Sequence, residues 1–561
     1  MMLSNCCVII FCVIPTVAGF LGVLFPALGW FPIYGSSEIT IEFLLRLFNQ
    51  PGFLHSSWLT VFTALFSTFV AYWICIFTFI FSQKLLFYSM LRKVIAPIIS
   101  VPHITVAIGV LFLIQPSGWI SRSFSPWATG WQNPPDLNIA PDLYGFSLIL
   151  GLIVKETPFL LLVGFAIIRQ TELKEYRKQI MSLGYGSISG WFHVIHPIIA
   201  KRMRLSALIV LCFAISVVDM ALILAPSSPS PLAIKIFSLY QSPDATSQLL
   251  AASGALYLLI ITLFCCSVWI FFGKAFEMSF RILSYRGFRF SGLTFLGNLF
   301  FYVVLGFLTF FLIIGLLSLI SAGIWAFVVV WQYPSFFPQK FGFYEWQFGL
   351  TSYIEPFINT LLVGIISSSI ATVSAIIWLE YSAKFTSKLL EMFIYLPLLL
   401  PQTGFLFGIQ VLLIWLNLDG VNMTIVWAHY LFVFPYILLT LGPTWRRLDV
   451  RYELLGASFR LSKLQRLVLI KIPLMMIPLL TSFAIGFSVS SALYLPTIFA
   501  GNGNFLTLTT EAVVLAANGS RQAAGVAALL QMALPLFIFI FASFYVGFKT
   551  RNFNYFKIFD D

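Results

Sequence analysis

Residues 451–475 read RYELLGASFRLSKLQRLVLIKIPLM, and five basic side chains (Arg451, Arg460, Lys463, Arg466 and Lys471) crowd into that stretch. The rest of the chain avoids charge. Residues 176–197, YRKQIMSLGYGSISGWFHVIHP, and residues 452–473, YELLGASFRLSKLQRLVLIKIP, both run 22 residues from Tyr to Pro, at an offset of 276. The same offset links Ala251-Ala252 to Ala527-Ala528, and VPHITVAIG at 101–109 parallels LPQTGFLFG at 400–408. Such self-similarity is the mark of an internal duplication, and two like halves in one chain pack as a pseudo-dimer about an axis along the membrane normal.

The medium for those halves follows from composition. Of 561 residues 60% are hydrophobic, 9% are charged and 61 are Phe, so no soluble core hides the apolar surface. Long apolar runs without period-2 alternation exclude a β-barrel and leave helices, which satisfy their backbone polar groups internally. The expected fold is an all-α polytopic membrane protein with about twelve spans in two sets of six. A hydropathy window places them near 8–30, 58–82, 95–115, 143–168, 205–225 and 248–273, then 296–331, 357–379, 391–416, 424–443, 477–498 and 525–547. The domain expectation is a first repeat at 1–273, a basic connector at 274–294, a second repeat at 295–548 and a tail at 549–561. The first thirty residues lack a basic n-region and a small-residue cleavage site, so they read as a retained span. Cys6, Cys7, Cys12, Cys75, Cys212, Cys265 and Cys266 lie in or beside apolar segments without metal-ligand spacing and read as buried small hydrophobes.

Orientation follows from the cations. With both termini cytoplasmic, 26 of the 32 Lys and Arg fall in cytoplasmic loops. Five (Arg46, Arg122, Lys235, Lys340 and Arg521) fall outside, and Lys155 lies inside a span. The net charge of +12 is thus a matter of topology, aided by anionic membrane lipid, and implies no nucleic acid.

In LSKLQRLVLIKI, Leu461, Leu464, Leu467 and Val468 recur at helical spacing while Lys463, Gln465 and Arg466 take other faces, which describes a short amphipathic helix. It either lies on lipid or docks into a partner, and its repetition at equal length in both halves favours docking.

A small helix, a turn, an amphipathic run and a closing Pro resemble the EAA loop of ABC-importer permeases. The first copy, from Ser182 through Leu183, Gly184, Tyr185, Gly186 and Trp191 to Pro197, has Gly in the turn slot of that pattern. The second, from Ser458 through Arg460, Leu461, Ser462, Leu464 and Arg466 to Pro473, has Arg460 there instead. Arg177-Lys178-Gln179 and Glu453-Leu454-Leu455 stand where the EAA would be. A side chain resists the φ > 0 that Gly adopts, so the first loop is expected to turn at Gly184 and the second by another geometry through Gly456. The ending YLPTIFAGNGNFLTLTTEAVVLAANG is similar to fused permeases of the thiamine, iron(III) and polyamine importer group. The resemblance implies the type I importer permease fold, duplicated in one chain, in a bacterial inner membrane. It also implies that each loop couples to a homodimeric cytoplasmic ABC ATPase carrying ATP and Mg, and that a periplasmic or extracellular solute-binding protein delivers the solute. The chain itself has no G-x-x-x-x-G-K-[ST] and holds no cofactor, so it reads as a transport subunit and not an enzyme.

Ionisable residues inside a span point to function or to pairing between helices. Lys155 and Glu156 in LIVKETPFLL and Asp219 in SVVDMALIL are the candidates for the solute path. Lys155 and Glu156 project about 100° apart on a helix, so they are not expected to face one partner. Lys235 in PLAIKIFSLY and Glu511 in LTTEAVVLAA correspond by the offset and are candidates for docking outside, or belong to ordinary re-entrant helices; Thr509 or Thr510 is placed to cap the second. His55, His103, His193, His196 and His429 lack ligand spacing, so no metal is assigned. A duplicated secondary transporter is the alternative, distinguished by needing no ATPase.

Overall fold

A computed structural model describes residues 9–32, 36, 38–80, 98, 100–169, 173–287, 294–381 and 388–552. Among them, nine helices are long and apolar enough to cross a membrane, and up to eleven if two bent pairs each count as one span. The chain is therefore an all-α polytopic membrane protein. The bent pairs are Leu390–Leu399 with Gln402–Trp415, at 108°, and Lys463–Leu474 with Met476–Ala492, at 79°. The span expected over 205–225 differs in form. Its helix, His196–Ser216, starts earlier, carries Lys201, Arg202 and Arg204 in its first turns, and stops where Val217 becomes extended. The connector expected from 274 is also helical at first, because Ala245–Tyr285 is one continuous helix.

Polar side chains inside the spans are tolerated because they return hydrogen bonds to their own helix. Thr16 donates to Cys12 O, Ser57 to Phe53 O, Thr78 to Ile74 O and Ser216 to Cys212 O, each four residues back.

The same local geometry recurs at the sequence offset. Helix His196–Ser216 gives way to Asp219–Leu224, and Met476–Ala492 gives way to Leu495–Ala500. Beyond each break a short helix follows, Leu232–Tyr240 or Leu508–Ala517. Leu232 N donates to Thr60 Oγ1 at 2.8 Å, and Leu508 N to Thr360 Oγ1 at 2.9 Å.

The two halves also exchange helices. Ile14–Ala27 of the first packs along Gln402–Trp415 of the second, while Thr294–Trp325 of the second packs along His103–Ile114 of the first. Glycine makes both crossings possible: a Cβ on Gly408 would strike the Gly19 carbonyl, and one on Gly109 would strike the Ser318 carbonyl. Small residues at such crossings let backbones approach closely where lipid supplies no hydrophobic drive.

A two-stranded ribbon, Val328–Val330 against Lys340–Phe341, closes one end. Arg122, 3% exposed, is inserted beneath it and donates to the carbonyls of Ser117, Trp331, Gln332 and Ser335. One of the five cations assigned to the outside is thus a structural clamp between segments of both halves.

Candidate functional site

A cavity of about 100 Å³ lies between the halves. The break at Val217–Val218 makes Asp219 the first residue of a new helix, and the matching break brings Tyr494 and Leu495 to the opposite wall. Lys155 and Glu156 enter from helix Phe146–Arg169. Both line this one space, and, as the angular argument expects, their partners differ. The Lys155 ammonium donates to Val101 O, a carbonyl just outside the helix that begins at His103. Glu156 Oε1 lies 3.2 Å from His103 Nε2. Lys155, Glu156 and Asp219 are 8%, 7% and 7% exposed. Asp219 opens its own short helix, and among the described residues no Lys, Arg or His nitrogen lies within 4.0 Å of its carboxylate. The rings of Phe159 and Tyr436 meet edge to face across the halves, with centroids 6.1 Å apart.

Sequence reasoning missed His103, Tyr436 and Tyr494. Their signal was present: His103 and Gln402 each follow the Pro of the repeated xPx stretch, and both line the cavity. His429 is turned away from it, held between Ser490 at 2.8 Å and Thr497 at 3.0 Å. Among the described residues no group of three or more His, Cys, Asp or Glu is arranged to hold a metal ion.

The two repeated loops share a turn. Helix Leu173–Ser182 ends at Gly184 with φ +77°, and helix Val450–Ser458 ends near Arg460 with φ +55°. The expectation of a different second turn through Gly456 is therefore wrong. Gly456 is helical and buried, and a Cβ there would meet Ile470 and Arg466, so close packing and not backbone freedom requires glycine. The next helix starts at a capping box, in which Ser462 Oγ accepts from Gln465 N and the Gln465 side chain accepts from Ser462 N. In the first loop Ser182 Oγ donates to Gln179 O, Gly186 O accepts from Gly190 N, and Trp191 is buried. Tyr185 packs its ring 5.1 Å from that of His193. Ser458 Oγ donates to Leu455 O, Leu461 N to Gly456 O, and Arg466 Nη1 to Glu453 O. Pro197 and Pro473 stand in the first turn of the helices that follow.

Large apolar side chains lie open on both loops: Met181 and Leu183 on the first, Leu454, Leu455, Phe459, Leu464 and Leu469 on the second. The predicted stripe splits, since Leu464 and Val468 are exposed while Leu467 is buried against the bundle. Lys471 ties the second loop to helix Tyr344–Tyr381 through Glu380 at 2.7 Å and reaches Glu453 at 3.4 Å.

Lys235 and Glu511 occupy matching helices without pairing to each other among the described residues. The Lys235 ammonium donates to Pro51 O, and burial lowers its pKa. Burial raises the Glu511 pKa. The cap of the second helix is Thr507, which accepts from Thr510 N in a capping box; Thr510 is its partner at the third position of the helix, and Thr509 instead donates to Ser491 O.

Among the described residues the chain is thus a membrane-spanning helical bundle with a polar cavity inside it and two loops of like turn geometry. The chain is 31% identical over 446 residues, 79% of its own length and 78% of the relative's, to the inner membrane ABC transporter permease protein YnjC of Escherichia coli (strain K12). It therefore belongs to the family of inner-membrane ABC transporter permeases, which are transport subunits and not enzymes. Membership sets aside the secondary-transporter alternative. No family model and no solved structure matches the chain.

Proposed function

We propose that the chain is the permease of an importer, with the central cavity on its solute path and the two repeated loops as its coupling elements. The observation that carries this reading is the equivalence of the loops. Each places a left-handed residue, Gly184 or Arg460, at the same offset, and each leaves long apolar side chains uncovered beside cations. A loop on lipid needs no shared turn geometry; a loop seated in a groove of a partner does. The partner is a homodimeric cytoplasmic ABC ATPase, which binds ATP and Mg and meets the pseudo-twofold pair of loops with its own twofold. The loops then face the cytoplasm, as do both termini. Lys235 and Glu511, on the opposite side, flank the surface offered to a periplasmic or extracellular solute-binding protein. The thiamine, iron(III) and polyamine group supplies the family resemblance for this division of labour.

The purified permease with its matched ATPase tests the coupling reading. Leu183→Asp and Leu464→Asp each put a charge where the groove is expected. Each should reduce retention of the ATPase by roughly tenfold, the scale of losing one buried apolar anchor. Full retention in both, with hydrolysis unchanged, rejects these loops as the coupling elements.

A further inference from the structure

The cavity is chemically lopsided. All of its Lys, His and carboxylate groups come from the first half: His103, Lys155, Glu156 and Asp219. The second half answers with Gln402, Phe432, Tyr436, Ser488, Tyr494 and Leu495. Duplication makes the contrast specific, because Gln402 stands where the first half has His103, and Leu495 where it has Asp219. A cavity needed only for packing between repeats has no use for four ionisable groups on one wall.

Two of the charges are committed. Lys155 is turned to Val101 O, and Glu156 is held by His103. Asp219 is 7% exposed, faces the cavity and has no cationic side chain within 4.0 Å among the described residues. A buried carboxylate of this kind is stabilised by a cation that enters beside it. The opposite wall is aromatic, and aromatic faces attract weakly hydrated organic cations.

Resting on the reading of this cavity as the solute path, we propose that the solute is a small organic monocation. Its charge sits against Asp219 and its apolar substituents against Phe432, Tyr436 and Tyr494. An oxyanion would meet two carboxylates, and the lysine and histidine beside them are already engaged with Val101 O and Glu156. A metal ion would require several oxygen or nitrogen ligands, and no such cluster is arranged among the described residues. A chain with several ammonium groups would find one uncommitted carboxylate and a cavity of about 100 Å³.

The test compares three probes of similar shape: tetramethylammonium, neutral neopentyl alcohol and anionic pivalate. Binding of each is measured by calorimetry and saturation-transfer NMR on the full chain with its ATPase in lipid nanodiscs. Tetramethylammonium should bind at least about tenfold more tightly than neopentyl alcohol, with pivalate weakest. Asp219→Asn should erase the preference and Asp219→Glu should retain it; Tyr494→Leu should weaken the cation and spare the alcohol. Equal binding of cation and alcohol, a preference for pivalate, no binding of the cation to the folded complex, or a preference surviving Asp219→Asn overturns the proposal. Retention of the ATPase in the same samples separates the outcomes. Lost cation selectivity with the ATPase still attached rejects the solute class alone, whereas an ATPase that never attaches rejects the coupling reading.

Discussion

Arg460 holds a left-handed backbone, φ +55°, that costs an L side chain roughly 1 kcal/mol. Its neighbour Ser462 fixes the following helix, so the turn is held from both sides. Arg460→Gly should therefore stabilise the fold by about 0.5–1 kcal/mol, the relief being partly offset by the freer unfolded chain. Gly184→Val, at φ +77°, should destabilise by at least as much. Thermal unfolding of both variants in detergent checks the pair, and a shift of the same sign in both would contradict it. Glu511 poses a different question at the same scale. The first turn of its helix favours a carboxylate, yet burial disfavours it, and burial wins, since the pKa is raised above the ordinary 4.5. A folded-state pKa above the unfolded value gives stability that is complete below pH 4.5 and is lost as pH rises through the higher folded value. Glu511→Gln should flatten that part of the stability profile and modestly raise the melting temperature at neutral pH. A profile identical to wild type would show that the carboxylate is better solvated than its position indicates.

At the scale of elements, the sequence disclosed the helices and the repeat but not the devices that join them. Hydropathy located the apolar runs, yet it placed a span over 205–225 where the helix breaks at Val217–Val218, because an apolar run stays apolar across a break. The angular argument for Lys155 and Glu156 was sound for a helix in isolation. It anticipated their separate partners but carried no information on a cavity wide enough to take both, since cavity width is set by segments distant in sequence. Glu380 looked unremarkable until the fold brought it to Lys471. That pair is 11% and 12% exposed, and removing one member of a buried pair typically costs about 3–5 kcal/mol, although Glu453 stands ready as a second partner and reduces this. Glu380→Gln should thus loosen the second loop from helix Tyr344–Tyr381. Hydrogen exchange over 463–474 should rise while the first loop is unaffected; unchanged exchange would mean that Leu467 alone anchors the loop.

For the molecule as a whole, the exchange of first helices decides what counts as a folding unit. Hydropathy and repetition together suggested two like halves packed as a pseudo-dimer, without saying which helices each half shares with the other. Helix Ile14–Ala27 packs on Gln402–Trp415, and helix Thr294–Trp325 packs on His103–Ile114, so each half is completed by the other. Repetition in a sequence reports ancestry of the parts and carries no information on which copy a helix joins. The glycine contacts show how tight the two crossings are. Gly408→Ala drives a methyl group into the Gly19 carbonyl, and Gly109→Ala drives one into Ser318; overpacking of this kind costs about 1–3 kcal/mol. These variants should weaken association between the halves more than they disturb either half. Dividing the chain between 287 and 294 makes that measurable. The fragments 1–287 and 294–561, coexpressed, should copurify in equal amounts, since the crossings and the Arg122 clamp lie on both sides of the cut. Gly408→Ala or Gly109→Ala in the divided protein should lower the recovered partner fragment, whereas the same substitutions in the intact chain, where the halves are tethered, should mainly lower the melting temperature. Fragments that fold and stay soluble in detergent separately, with no affinity for each other, would contradict the exchanged arrangement.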